Sequence, residues 1–142
     1  MPTNPKVKPC GRKPRVTCTV QRCHRSPTAG TKCLTHAKKA ADAAWAAKVR
    51  KDVCELRDIL IRCSGPIQAC HGFSRGYLGT RYLIENGFSG CAAHNLFAEL
   101  KPLEWDNWLR AKWGAEKYEA LRNIALGFKG LVDYEAIVKA LS

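Results

Sequence analysis

A small α+β fold is predicted for this chain of 142 residues by three features of its sequence. Eight cysteines and four histidines fall into closely spaced groups. A short strand-forming run, Ile67-Gln-Ala-Cys70, follows a Gly65-Pro66 turn. Segments with apolar residues at helical spacing flank that run on both sides. A chain of this length suits one domain with a small appended module.

The composition narrows the class. No run of eighteen apolar residues occurs, so no membrane span is expected. The start, Met-Pro-Thr-Asn-Pro-Lys, has no apolar segment of the secretory kind, and a cytoplasmic protein with reduced thiols is expected. In that compartment Cys grouped with His points to metal before disulfide. A disulfide-rich structural protein is the competing reading, and eight free thiols under denaturing conditions without reductant would exclude it.

Residues 1–17 carry four prolines and five basic side chains with almost nothing to bury, which predicts a mobile basic arm. Cys10 is either a spare thiol or a neighbour of the first metal group. That group is Cys18-x4-Cys23-x9-Cys33-x2-His36. Two short knuckles joined by a Pro/Gly turn can bring Cys18, Cys23, Cys33 and His36 to one structural zinc, which replaces the core so small a unit lacks. His24 adjoins a ligand, but Cys33-x2-His36 is the more compact pair. Arg22, Arg25 and Lys32 would make the surface of this 18–37 knuckle basic.

Residues 38–51 are Ala-rich and free of Gly and Pro, hence a basic helix or linker, with Trp45 and Val49 facing a core together. Residues 52–100 form the predicted core unit. There Cys54 and Cys63 fold back towards each other, and Cys91-Ala-Ala-His94 supplies a second pair, so a second structural zinc would sit on Cys54, Cys63, Cys91 and His94. Cys10 and Cys70, and His24 and His71, are then left over. Helical pattern resumes at Ala92, with Leu96, Phe97 and Leu100 expected to pack beneath the ligand pair. The 101–142 region reads as helices packing on the core. Trp105, Trp108, Leu109 and Trp113 share a helical face up to Gly114, Tyr118, Leu121 and Ala125 share the next, and Asp133 caps a last helix through Leu141.

Charge is one-sided. Residues 1–51 hold 13 of the 24 Lys and Arg and a single acid, Asp42, a net of +12, whereas the remainder is neutral. Such a segment attracts a polyanion in a salt-dependent way, and DNA is the expected partner.

His71-Gly-Phe-Ser-Arg75, Thr80-Arg81-Tyr-Leu-Ile-Glu-Asn86 and Cys91-Ala-Ala-His94-Asn95 together resemble the phage-type HNH endonucleases, most nearly the NinG/Rap-like recombination nuclease group. The resemblance spans roughly residues 18–126. It implies a ββα-metal fold, a β-hairpin and a helix clamped by structural zinc, in a protein working in a bacterial host's cytoplasm, and a homodimer would favour the cutting of junctions. By the same resemblance His71 is the general base, Asn86 orients it and its loop, and Asn95 binds a catalytic cation such as Mg²⁺ or Mn²⁺. Arg75 and Arg81 would clamp phosphate, since a guanidinium fork matches two phosphate oxygens. The expected function is metal-dependent hydrolysis of DNA phosphodiesters, directed by backbone or structure more than by base sequence. The alternative is a non-catalytic, zinc-scaffolded DNA-binding protein on the same fold.

Overall fold

The computed structural model describes residues 19, 20, 23 and 33–142. The expected basic arm, Cys18 and the knuckle's Arg22, Arg25 and Lys32 lie outside these residues.

The first helix, α1 (Leu34–Val49), begins four residues before its predicted start, so His36 sits in its first turn. Its Ala-rich sequence has no breaker, and Ala37, Ala41, Trp45 and Val49 repeat every fourth residue to make one buried stripe. The helix is therefore a core element, packed chiefly against the last helix and the sheet.

The sheet has two antiparallel strands, β1 (Ile67–His71) and β2 (Gly87–Cys91). Their register pairs Ile67 with Cys91 and His71 with Gly87. The connection between them, 72–86, closes with a 3-10 turn at Ile84–Asn86. Gly87 is required by close approach, because a Cβ there would lie 2.5 Å from Val49 Cγ2 and 2.9 Å from Trp45 Cζ2. On the same face of β2, two residues further on, Ser89 ties down the chain that leaves α1. The Lys51 amide donates to its hydroxyl at 2.9 Å, the hydroxyl donates to the Lys51 carbonyl at 3.1 Å, and the Glu55 amide donates to the Ser89 carbonyl at 2.7 Å. Cys54 is thereby held beside the strand.

Helix α2 (Ala92–Leu100) follows β2 without a loop, and no side chain caps it. Its first amides are satisfied from the 64–66 turn instead: Ala92 N–H donates to the Pro66 carbonyl and Ala93 N–H to the Ser64 carbonyl. Gly65, at φ 78°, allows that turn. The expectation for α2's apolar face needs correction. Phe97 packs on the core, but Leu96 and Leu100 are 50% and 66% exposed. His94 must point at its thiol partners, and that fixes the helix's rotation, placing 94, 97 and 98 inward and 96 and 100 outward.

Helix α3 (Pro102–Trp113) starts with Pro at its first position and ends at Gly114, whose φ of 79° breaks the chain into α4 (Ala115–Gly127). Trp105, Leu109 and Tyr118 join Leu56, Ile59, Cys70 and Phe88 in the main core, with Trp108 and Trp113 packed against it. The tryptophan stripe is thus core, as its spacing predicts. Helix α5 (Tyr134–Leu141) is capped by Asp133, whose carboxylate accepts from the Ala136 amide at 3.0 Å. It covers Ala37 and Ala41 through Tyr134 in a second, smaller cluster. Among the described residues, five helices around a two-stranded sheet make a small α+β protein. Among the described residues, no helix is long and apolar enough to cross a membrane.

Candidate metal centres and active site

Two side-chain clusters could hold zinc. In the core, Cys54, Cys63, Cys91 and His94 bring their ligand atoms within 4.8 Å of one another. The distances to His94 Nδ1 are 3.0 Å from Cys91 Sγ, 3.5 Å from Cys54 Sγ and 3.7 Å from Cys63 Sγ. A tetrahedral zinc with bonds of about 2.3 Å to sulfur and about 2.0–2.1 Å to nitrogen has S···N edges of about 3.5 Å, so the set fits. The remaining ring nitrogen, His94 Nε2, lies 3.2 Å from the Ile59 carbonyl. A carbonyl only accepts, so Nε2 carries the proton and Nδ1 keeps the lone pair a metal needs. Burial pushes the Cys91 thiol up, but hydrogen bonds, led by the His94 backbone, bring it down to about 6, towards the thiolate that ligates. These four residues come from three places: the loop after α1, the β2–α2 junction and α2's first turn. The metal would pin them together.

In the second cluster Cys23 Sγ is 3.8 Å from Cys33 Sγ, and Cys33 Sγ is 3.2 Å from His36 Nδ1. A tetrahedral S···S edge is about 3.8 Å by the same bond lengths. Three of the four expected ligands are gathered among the described residues.

His71 ends β1 and faces a cavity of about 590 Å³ that Arg75, Asn95, Glu99 and Asp106 also line. Its Nε2 lies 3.0 Å from the Arg81 carbonyl, which again fixes the proton on Nε2 and leaves a lone pair on Nδ1. Trp45 of α1 stacks on the ring, with centroids 3.9 Å apart and planes 9° from parallel. Burial pushes the imidazole down to about 4 from 6.5, against a partial opposing effect of the Arg81 carbonyl, so the ring is neutral at pH 7.

Asn86 is fully buried, and its side-chain hydrogen bonds go to Phe73 and Thr80 and not to the imidazole. Its Oδ1 accepts from the Phe73 amide at 2.7 Å, and its Nδ2 donates to the Phe73 and Thr80 carbonyls, both at 3.1 Å. It therefore ties the residues after His71 to those before Arg81. Asn95 Nδ2 donates to Gln68 Oε1 at 2.8 Å, which turns the Asn95 oxygen into an available acceptor. Arg75 is exposed at the cavity.

Arg81 is a correction to the expected phosphate clamp. Its fork is closed on Asp42: Nε donates to Oδ1 at 3.0 Å, and NH2 donates to Oδ1 and Oδ2 at 2.8 Å each. NH1 donates to the Arg75 carbonyl at 3.1 Å, and the side chain is 7% exposed. Cys70, next to His71, points to the opposite face of the strand and is buried at 1% exposure. Burial pushes its thiol up to about 12, so it is an inert core residue.

The sequence reading assigns no site role to Glu99 or Asp42, and it takes Trp45 as core alone. Glu99 stands four residues beyond Asn95 on α2, one turn along the same face, a spacing that could have flagged it. Asp42 is the single acid among residues 1–51.

No family model matches the chain, and neither does any curated protein or solved structure.

Proposed function

We propose that this chain is a metal-dependent DNA endonuclease of the HNH type, with its ββα unit (β1, β2 and α2) clamped by zinc at Cys54, Cys63, Cys91 and His94. One observation carries the reading: a neutral imidazole at the end of β1, its proton fixed on Nε2 by the Arg81 carbonyl and a lone pair left on Nδ1, lines a cavity shared with Asn95, Glu99 and Arg75. An imidazole so held is a general base for water. Asn86 keeps the loop that positions it from shifting. The Asn95 amide oxygen and the Glu99 carboxylate are hard donors of the kind Mg²⁺ or Mn²⁺ takes, whereas the Cys70 thiol is not. A cation held there would polarise the scissile phosphate and stabilise the leaving oxygen. Arg75 supplies a guanidinium for a phosphate oxygen pair. The basic N-terminal region, +12 over residues 1–51, adds sequence-independent affinity for the DNA backbone.

A second reading, a zinc-scaffolded DNA-binding protein without catalysis, draws on Cys70, since the residue beside His71 is a thiol turned into the core that offers a cation at the cavity no ligand. Plasmid nicking with Mg²⁺, Mn²⁺ or Ni²⁺ supplied singly separates the two. Cleavage lost in His71→Ala with DNA affinity kept supports the nuclease. DNA binding without cleavage by the wild type supports the second.

A further inference from the structure

We propose that Asp42 of α1 is a positioning residue for His71, acting through Arg81. The proposal rests on the reading of His71 as the base. The Arg81 carbonyl is the acceptor that fixes the His71 proton on Nε2, so whatever holds residue 81 holds the tautomer. Backbone bonds contribute: the Arg81 amide donates to the Tyr77 carbonyl at 3.0 Å. The stronger restraint is on the side chain. Asp42 takes three donor contacts from the Arg81 fork, a bidentate, charge-assisted pair that fixes direction as well as distance. The adjacent Tyr82 hydroxyl donates to the same carboxylate at 2.9 Å, so two successive residues of the loop are anchored at one point.

The anchor lies on a rigid element. Asp42 and Trp45 are three apart on α1 and share a face. From that face Trp45 covers the imidazole and donates its indole N–H to the Leu83 carbonyl at 3.0 Å. Helix α1 therefore grips the 80–83 segment at Arg81, Tyr82 and Leu83, and clamps the His71 ring from above. Only in this tautomer does Nδ1 carry the lone pair that a base needs. With Arg81 loosened the ring can exchange its proton between nitrogens, and a fraction of molecules would then present N–H to the water, which cannot act as a base. A single acid placed in an otherwise wholly basic segment suits this local task better than a general balancing of charge.

The test compares wild type with Asp42→Asn, full-length and zinc-loaded, by long-range ¹H–¹⁵N spectra of the histidine rings and by nicking kinetics. Wild type is expected to show His71 as the Nε2–H tautomer alone. Asp42→Asn is expected to show both tautomers, with kcat lower by roughly 10- to 100-fold and KM little changed, the range typical when an outer residue that orients an active group is lost. An Asp42 that served stability alone would lower the melting temperature and leave the tautomer intact, and that result overturns the proposal. Should Asp42→Asn lose its zinc, Tyr82→Phe removes one bond to the same carboxylate. A smaller shift in the same direction is then expected, and none would overturn the proposal. If wild type nicks no DNA with any cation, the nuclease reading fails, and the tautomer comparison still decides this one.

Discussion

His94→Ala removes the ligand at the centre of the core cluster, and the size of its effect can be worked from the geometry. His94 is fully buried, and Cys54 and Cys91 are 5% and 2% exposed. The imidazole meets three sulfurs through Nδ1 and the Ile59 carbonyl through Nε2. Structural zinc contributes roughly 10–16 kcal/mol to the folding of small finger peptides, against a whole-domain stability of about 5–15 kcal/mol. Losing one ligand of four forfeits a part of that, and the cavity left by the buried ring adds to the cost, while the Ile59 carbonyl still accepts from the Ile61 amide at 2.7 Å. A loss of about 4 kcal/mol corresponds to a fall in melting temperature of more than about 10 °C for a chain of this size. The assay is metal content by mass spectrometry after gel filtration, with calorimetry on the same sample. One zinc per chain fewer and a melt lowered by that amount are expected. Cys63→Ser, at the exposed corner of the cluster, should cost less. If His94→Ala keeps wild-type zinc and melts within about 2 °C of it, the core cluster is not a structural metal site.

Three further outcomes follow from particular side chains. The His71 ring, held near 4 when folded and at 6.5 when unfolded, binds its proton first in the unfolded chain. Its contribution to stability is therefore full above pH 6.5 and is lost as pH falls towards 4, and ring NMR should find it neutral at pH 5.5; a midpoint near 6.5 would contradict its burial. Gly87→Ala would drive a methyl to 2.5 Å from Val49 Cγ2, costing about 1–3 kcal/mol by denaturant titration, whereas a neutral result would mean that α1 does not sit on β2. Glu99→Gln should raise the Mg²⁺ concentration needed for half-maximal nicking by roughly tenfold while leaving DNA affinity unchanged; an unaltered cation requirement removes Glu99 from the site.

Elements whose form is dictated locally could be read from the sequence. The Ala-rich α1, the Gly114 break, the Asp133 cap and the tryptophan face all follow from nearest-neighbour chemistry, and the Cys/His spacings brought both clusters to notice. Misreadings occurred where a distant partner decides. Arg81 is indistinguishable in sequence from a free phosphate clamp, because Asp42 lies 39 positions away on another helix. Leu96 and Leu100 look like core by hydropathy, yet the His94 constraint turns them outward. Trp45 was placed in a core correctly, but nothing local says that the core it meets is the His71 ring.

The most direct test of the central claim is nicking of supercoiled plasmid by the wild-type protein and by His71→Ala, matched for zinc content, with each divalent cation supplied separately. Nicking by the wild type and a loss of several orders of magnitude in the variant are expected, with DNA binding retained by both. Equal nicking by the two proteins, or none by the wild type with any cation, would contradict it.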